Sequence, residues 1–179
     1  MAGLLDGNNL GFEMIGKDHV RAMALYNRWM NDKIYACAAQ LSDEERKRDR
    51  GAFFKSIHAT LNHILWGDQI WMHRLAGTPK PTAGSIGESV AQFGEFAEMT
   101  RRRSDFDQAI LDWSTAVDPA WLEGDLSYFS GAANRNITKP KWLLVTHLFN
   151  HQTHHRGQVH CMLTQCGLKP GDTDLPFMD

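Results

Sequence analysis

The sequence predicts an all-α fold, a four-helix bundle with short extra helices and an irregular C-terminal tail. Four long segments repeat apolar residues at helical spacing, and no segment shows a convincing alternating strand pattern. The breaks between them carry capping and turn residues. Long helices with one apolar stripe each bury that stripe most simply against one another.

The first helix is predicted over about Asp18 to Gln40, with Met23, Met30, Ile34, Cys37 and Leu41 marking its inward stripe. Ser42-Asp43-Glu44-Glu45 has the form of a capping box that opens a short turn. The second helix is predicted from about Ala52 to Ala76, with Phe53, Ile57, Leu61, Ile64, Trp71 and Leu75 inward. Gly77 and Pro79 stop it. Residues 80–87 read as a loop, and the third helix as about Glu88 to Val117. Asp118-Pro119 caps a short helix through Trp121. Residues 124–139 read as a loop, or as a loose hairpin pairing 126–128 with 135–137. The fourth helix starts near Pro140 and ends at Gly167, a suitable C′ glycine. Pro170, Gly171 and Pro176 keep the tail from forming a regular helix.

The chain of 179 residues reads as one domain, 1–179, long enough to bury a core without disulfides or a structural metal. A metal here would serve function more than folding. The net charge is −2, and the strongest basic run, Arg101-Arg102-Arg103, sits among Glu95, Glu98, Asp105 and Asp107. It reads as a solvated helix face, so no nucleic-acid partner is expected. Three scattered cysteines, Cys37, Cys161 and Cys166, give no disulfide framework and suit a reducing cytoplasmic setting. Residues 1–16 lack a basic start, and Asp6, Asn8 and Asn9 interrupt their apolar residues, so no signal peptide is expected. No segment approaches the roughly 18 apolar residues of a membrane span.

The fourth helix carries the chemistry. At 100° per residue, Leu144, His151 and Met162 fall within about 20° of one another, and Leu148, His155, Gln158 and Val159 lie within roughly 80° of His151. His151 and His155 are four apart on this inward face, where unpartnered imidazoles are costly. Such a pair suits a transition-metal ion. His147 extends the ladder, but three ligands from one straight helix would cover more than about 10 Å. His154 lies at the stripe edge, His160 on the far face, and His19 is expected to be exposed. A third ligand must come from another helix, and the candidates on the second helix are His58, His63 and His73. His58 and His73 fall on its polar side. His63 borders the apolar stripe, with Gly67 one turn on leaving space beside it. Asp68 falls in the centre of that stripe and needs a partner. It can orient a ligand histidine, or accept from an indole or an arginine, more readily than ligate directly.

The segment HLFNHQTHHRGQV at 147–159 resembles the C-terminal motif of the DinB/YfiT-like family of metal-dependent helical bundles. FFKSIHATLNHILWGDQIWMHRLAG at 53–77 and LYNRWMNDKIY at 25–35 resemble its second- and first-helix motifs. The damage-inducible name is unrelated to the translesion polymerase that shares it. The resemblance spans nearly the whole chain, with residues 88–137 contributing little. It implies an up-down-down-up bundle, often a homodimer. It places the metal ligands on His63, His151 and His155, leaving His147 and His154 as neighbours.

It further implies a divalent ion, zinc or nickel first, with iron, manganese and copper also open. Some relatives are S-transferases that use bacillithiol, mycothiol or glutathione. The expected function is therefore a metal-dependent enzyme, a small-thiol S-transferase or a hydrolase. The alternative is a non-catalytic metal-binding stress-response protein acting through its dimer surface. Three histidines with an open position match a catalytic rather than a closed structural site. Gln158 is placed to hydrogen-bond near such a site.

Overall fold

The computed structural model describes residues 14–178. The signal-peptide reading of the first residues falls largely on 1–13, outside the described residues. Four long helices form the bundle: α1 (Lys17–Ala38), α3 (Ile57–Ala76), α5 (Phe96–Ala116) and α7 (Lys141–Gln165). Around its girth they run α1, α5, α3, α7, so α1 lies diagonal to α3. Among them stand the short helices α2 (Asp43–Lys47), α4 (Ile86–Ser89) and α6 (Pro119–Leu122). The tail adds one 3-10 turn, Leu175–Phe177. No helix among the described residues is long and apolar enough to cross a membrane.

The caps appear where the sequence places them. Ser42 Oγ accepts from Glu45 N at 3.1 Å, opening α2. Asp118 Oδ1 accepts from Ala120 N at 2.9 Å, opening α6. α7 closes at Gly167, whose N–H donates to the Thr164 carbonyl. Gly77 ends α3 with φ +70°, its N–H donating to the His73 carbonyl. A Cβ at Gly77 would meet nothing within 4 Å, so alanine there carries only the backbone cost of the left-handed region. Gly77→Ala is expected to lose about 1 kcal/mol. In a thermal melt that is a fall of about 2–4 °C.

Two boundaries differ from the sequence reading. α3 starts at Ile57 rather than near Ala52. Residues 51–56 form a tight turn with Lys55 at φ +70°, and Ser56 Oγ caps the helix by accepting from Ala59 N. Phe53, expected inward, is 76% exposed as a result. The third predicted helix is broken into α4 and α5. Asn62 makes the break: its Oδ1 accepts from Phe93 N at 2.8 Å, and its Nδ2 donates to Phe93 O at 3.0 Å. His58 Nε2 also bonds Phe93 O, at 2.9 Å. These bonds hold the Phe93 backbone out of a helical ladder, next to Gly94.

Residues 124–139, left open between loop and hairpin, form an antiparallel hairpin of β1 (Asp125–Ser130) and β2 (Arg135–Pro140). It packs back on the bundle through Tyr128, whose ring lies 5.4 Å edge-on from Trp71. The Arg74 guanidinium stacks over both rings. The tail crosses α1, where Tyr26 Oη donates to the Thr173 carbonyl at 2.6 Å. The apolar core lies in two clusters, one around Val20, Met72, Ile110 and Leu148, the other around Ile34, Leu61, Met99 and Leu163. The cysteines are free thiols, with Cys37 buried, Cys161 exposed and Cys166 between.

Candidate metal centre

His63 from α3 meets His151 and His155 from α7 where these two helices pack together. One ring nitrogen from each lies within 4.8 Å of the other two. His63 Nε2 and His151 Nε2 are 3.2 Å apart. His63 and His155 are buried, and His151 is half-buried.

Two of the rings are aimed by hydrogen bonds on their far nitrogens. Ser89 Oγ spends its proton on the Ile86 carbonyl, at 2.6 Å. Towards His63 Nδ1, 2.9 Å away, it is therefore an acceptor. Nδ1 holds the proton, and the Nε2 lone pair faces His151. Gln158 Oε1 accepts from His155 Nδ1 at 2.8 Å, which leaves His155 Nε2 free in the same way. Gln158 Nε2 lies 3.4 Å from His154 Nε2. Metal-ligating histidines commonly donate their other N–H to such a partner. Ser89 comes from α4, in the stretch the sequence reading merged into a longer helix, so nothing in the periodicity pointed to it.

Burial and mutual repulsion keep the rings neutral. Burial pushes His63 down to about 4, with His155 adding to it. It pushes His151 down to about 3, reinforced by His155, His63, His147 and His154. His155 is lowered by burial, against the pull of its bond to Gln158. Neutral imidazoles at pH 7 are the form that binds an ion. Aromatic rings shelter the group: Phe54 lies 4.0 Å from His63 and 5.4 Å from His155, centre to centre, and Trp66 lies 5.7 Å from His63.

The other histidines take different places. His147 packs on Trp71 at 4.8 Å, outside the cluster. His154 is exposed and edge-on to His155. His19 is exposed, and His160 is half-buried rather than fully solvated. His73 is half-buried, with Nδ1 on the Thr78 carbonyl at 2.5 Å. His58, expected in solvent, is 5% exposed, because the Phe93 carbonyl gives its ring a partner inside.

Asp68 takes the arginine option. Its Oδ2 accepts from Arg103 Nη1 at 2.6 Å, and from Gln152 Nε2. Arg103 Nη2 lies 2.8 Å from Asp107 Oδ1, which also accepts from Asn31 and Asn27. Arg156 Nη1 donates to Asn27 Oδ1 and to Gln152 Oε1. All seven residues are buried, and together they join α1, α3, α5 and α7. The solvated reading of 101–103 thus holds for Arg101 and Arg102 and fails for Arg103. Burial alone would lower the Arg103 guanidinium, and Asp107 and Asp68 more than reverse this. Burial raises the Asp68 carboxyl to about 7 against the pull of Arg103.

The sequence model of the DinB family matches residues 14–179. The chain belongs to the DinB family. It is similar to Protein DinB of Bacillus subtilis (strain 168), with 25% identity over 156 residues that cover 83% of this chain and 87% of that protein. DinB membership and the three-histidine cluster are compatible with metal binding. The donor set fits a divalent ion. Zn–N bonds of about 2.0–2.1 Å at tetrahedral angles put ligand nitrogens roughly 3.3 Å apart, close to the His63–His151 spacing. An all-nitrogen set does not choose among the first-row metals.

Proposed function

We propose that the protein holds a divalent metal ion through His63, His151 and His155 and acts as a metal-dependent enzyme, a small-thiol S-transferase or a related hydrolase. The observation that carries the reading is the convergence of three neutral imidazoles, two with Nδ1 protons tied to Ser89 and Gln158. A divalent ion, when bound, supplies Lewis acidity towards a thiol or a water molecule. The chain's own part is to keep the imidazoles unprotonated, to fix the tautomers of His63 and His155, and to pack Phe54 and Trp66 against His63. The thiol follows from the resemblance to S-transferase relatives. Zinc or nickel, a homodimer and a cytoplasmic setting belong to the same proposal.

A second reading rests on a specific observation. Among the described residues, none of the hydrogen bonds made by the three rings goes to a carboxylate. A non-catalytic metal-binding stress protein acting through a dimer surface needs no acid or base there.

Tag-free protein is expected to carry about one divalent ion per chain by elemental analysis, with His63→Ala and His151→Ala losing it. Protein free of stoichiometric metal from several growth media would overturn both readings. Metal-loaded protein is then assayed with monochlorobimane and bacillithiol, mycothiol or glutathione. Metal-dependent conjugation of any one supports the transferase. Full loading without conjugation, in a protein that light scattering shows to be dimeric, favours the second reading.

A further inference from the structure

Two imidazoles of the candidate centre have hydrogen-bond partners that aim them, and the third does not. His151 Nδ1 is buried with no hydrogen-bond partner among the described residues. Its ring lies flush against α3 at Gly67. A Cβ built on Gly67 would stand 2.7 Å from His151 Cε1, 3.2 Å from Nδ1 and 3.7 Å from Nε2. Real Cβ atoms essentially never approach a carbon as closely as the first of these distances. Gly67 has ordinary helical backbone, so no positive φ calls for glycine here. In a helix interior glycine is less favourable than alanine. The position therefore carries a residue that weakens its own helix, and the three atoms nearest the missing side chain all belong to one imidazole.

We infer that Gly67 is the positioning residue of His151: its bare Cα makes the slot that holds the third imidazole facing His63, in place of a hydrogen bond. The inference rests on the proposed ligand role of His151. An added methyl group must push the ring away from α3. The ring sits at the end of a side chain with two torsions, so the helix survives while Nε2 leaves the position 3.2 Å from His63 Nε2. Ser89 and Gln158 continue to hold the other two rings.

The test compares Gly67→Ala with Gly157→Ala, a helical glycine in α7 whose added Cβ meets nothing within 4 Å. Apoprotein is titrated with Co(II), and the visible absorption of the bound ion is followed. Gly157→Ala is expected to match wild type in affinity and spectrum. Gly67→Ala is expected to bind at least about tenfold more weakly, with a weaker visible band as one nitrogen is lost. A folded Gly67→Ala with wild-type affinity and spectrum overturns the inference.

Melting of the metal-free proteins tests the contact separately. Gly157→Ala should raise the melting temperature, as helix propensity dictates. Gly67→Ala should lower it in the wild-type background and raise it in a His151→Ala background, where the slot is empty. This holds even if Gly67→Ala alone fails to fold, since removing the ring should then restore folding. Equal shifts in the two backgrounds, or a double variant no better than Gly67→Ala, overturn the slot. Wild-type protein that binds no Co(II) overturns the metal reading and with it the ligand role, while the melting pair still decides whether Gly67 places the ring.

Discussion

Arg103→Met is expected to destabilise the protein by about 3–5 kcal/mol, the usual consequence of removing one partner from a buried ion pair. For a chain of this size that is a fall of roughly 6–20 °C in melting temperature. The side chain is 2% exposed and stands between Asp68 Oδ2 and Asp107 Oδ1. Methionine fills much of the volume but leaves two carboxylates facing each other in the core. They can shed charge only by taking up protons. Their folded-state pKa values then exceed the unfolded ones, so the variant's stability falls further as pH rises above about 4. Arg103→Lys keeps the charge but cannot bridge both carboxylates with a planar fork, and should fall between. Arg102→Met, on the exposed neighbour, should stay within about 0.5 kcal/mol of wild type. Urea denaturation of the four proteins checks this, and an Arg103→Met variant as stable as wild type would refute the structural account of the network.

The second large effect is acid sensitivity of the metal-free protein. His63 and His151 are held down to about 4 and about 3, below the ordinary histidine value of 6.5. Between those values and 6.5 the unfolded chain binds more protons than the folded one. The stability they support is therefore present above pH 6.5 and is lost as pH falls towards 3–4. Asp68, raised to about 7, acts in the opposite direction over the same range and offsets one histidine. The net expectation is a loss of about 2 kcal/mol at most between pH 6.5 and 4.5. Chelator-treated protein unfolded in urea at stepped pH measures it. His151→Leu should flatten the slope by about 1 kcal/mol per pH unit, allowing for solvent screening of a half-buried ring. An unchanged slope would mean that His151 is not held neutral by its surroundings.

The four long helices were legible because each carries an apolar stripe and ends at or shortly before a residue that caps or stops a helix: Ser42, Gly77, Asp118, Gly167. The boundaries that shifted did so through contacts distant in sequence. Asn62 breaks the third predicted helix from 31 residues away, by binding the Phe93 backbone. No local pattern at 90–95 announces that.

The centre was legible in part. Helical spacing put His151 and His155 inward but left the third partner open among His58, His63 and His73. It also set His58 outside, where the Phe93 carbonyl in fact draws it in. The buried network was missed although its trace is present. Met99, Arg103, Phe106, Asp107 and Ile110 share one stripe of α5, and Val145, Phe149, Gln152, Arg156 and Val159 share one of α7. Reading Arg103 by its charged neighbours in sequence concealed its phase with Met99 and Ile110. α7 thus carries two inward stripes side by side, one with the histidines and one with their polar successors.

That network also sets an order of events during synthesis. Asn27 and Arg156 meet across 129 residues, and Asp68 and Gln152 across 84. Every bond that α7 makes to the network, and two of the three clustered imidazoles, reach the assembly only once residues 151–156 have left the ribosome. Until then the emerged α1, α3 and α5 hold Asp68, Arg103 and His63 with a whole wall of the bundle missing. Contacts so distant in sequence form late and slowly. The three clustered imidazoles come together only on a chain whose final long helix has docked, so the proposed metal capture would have to wait for that step.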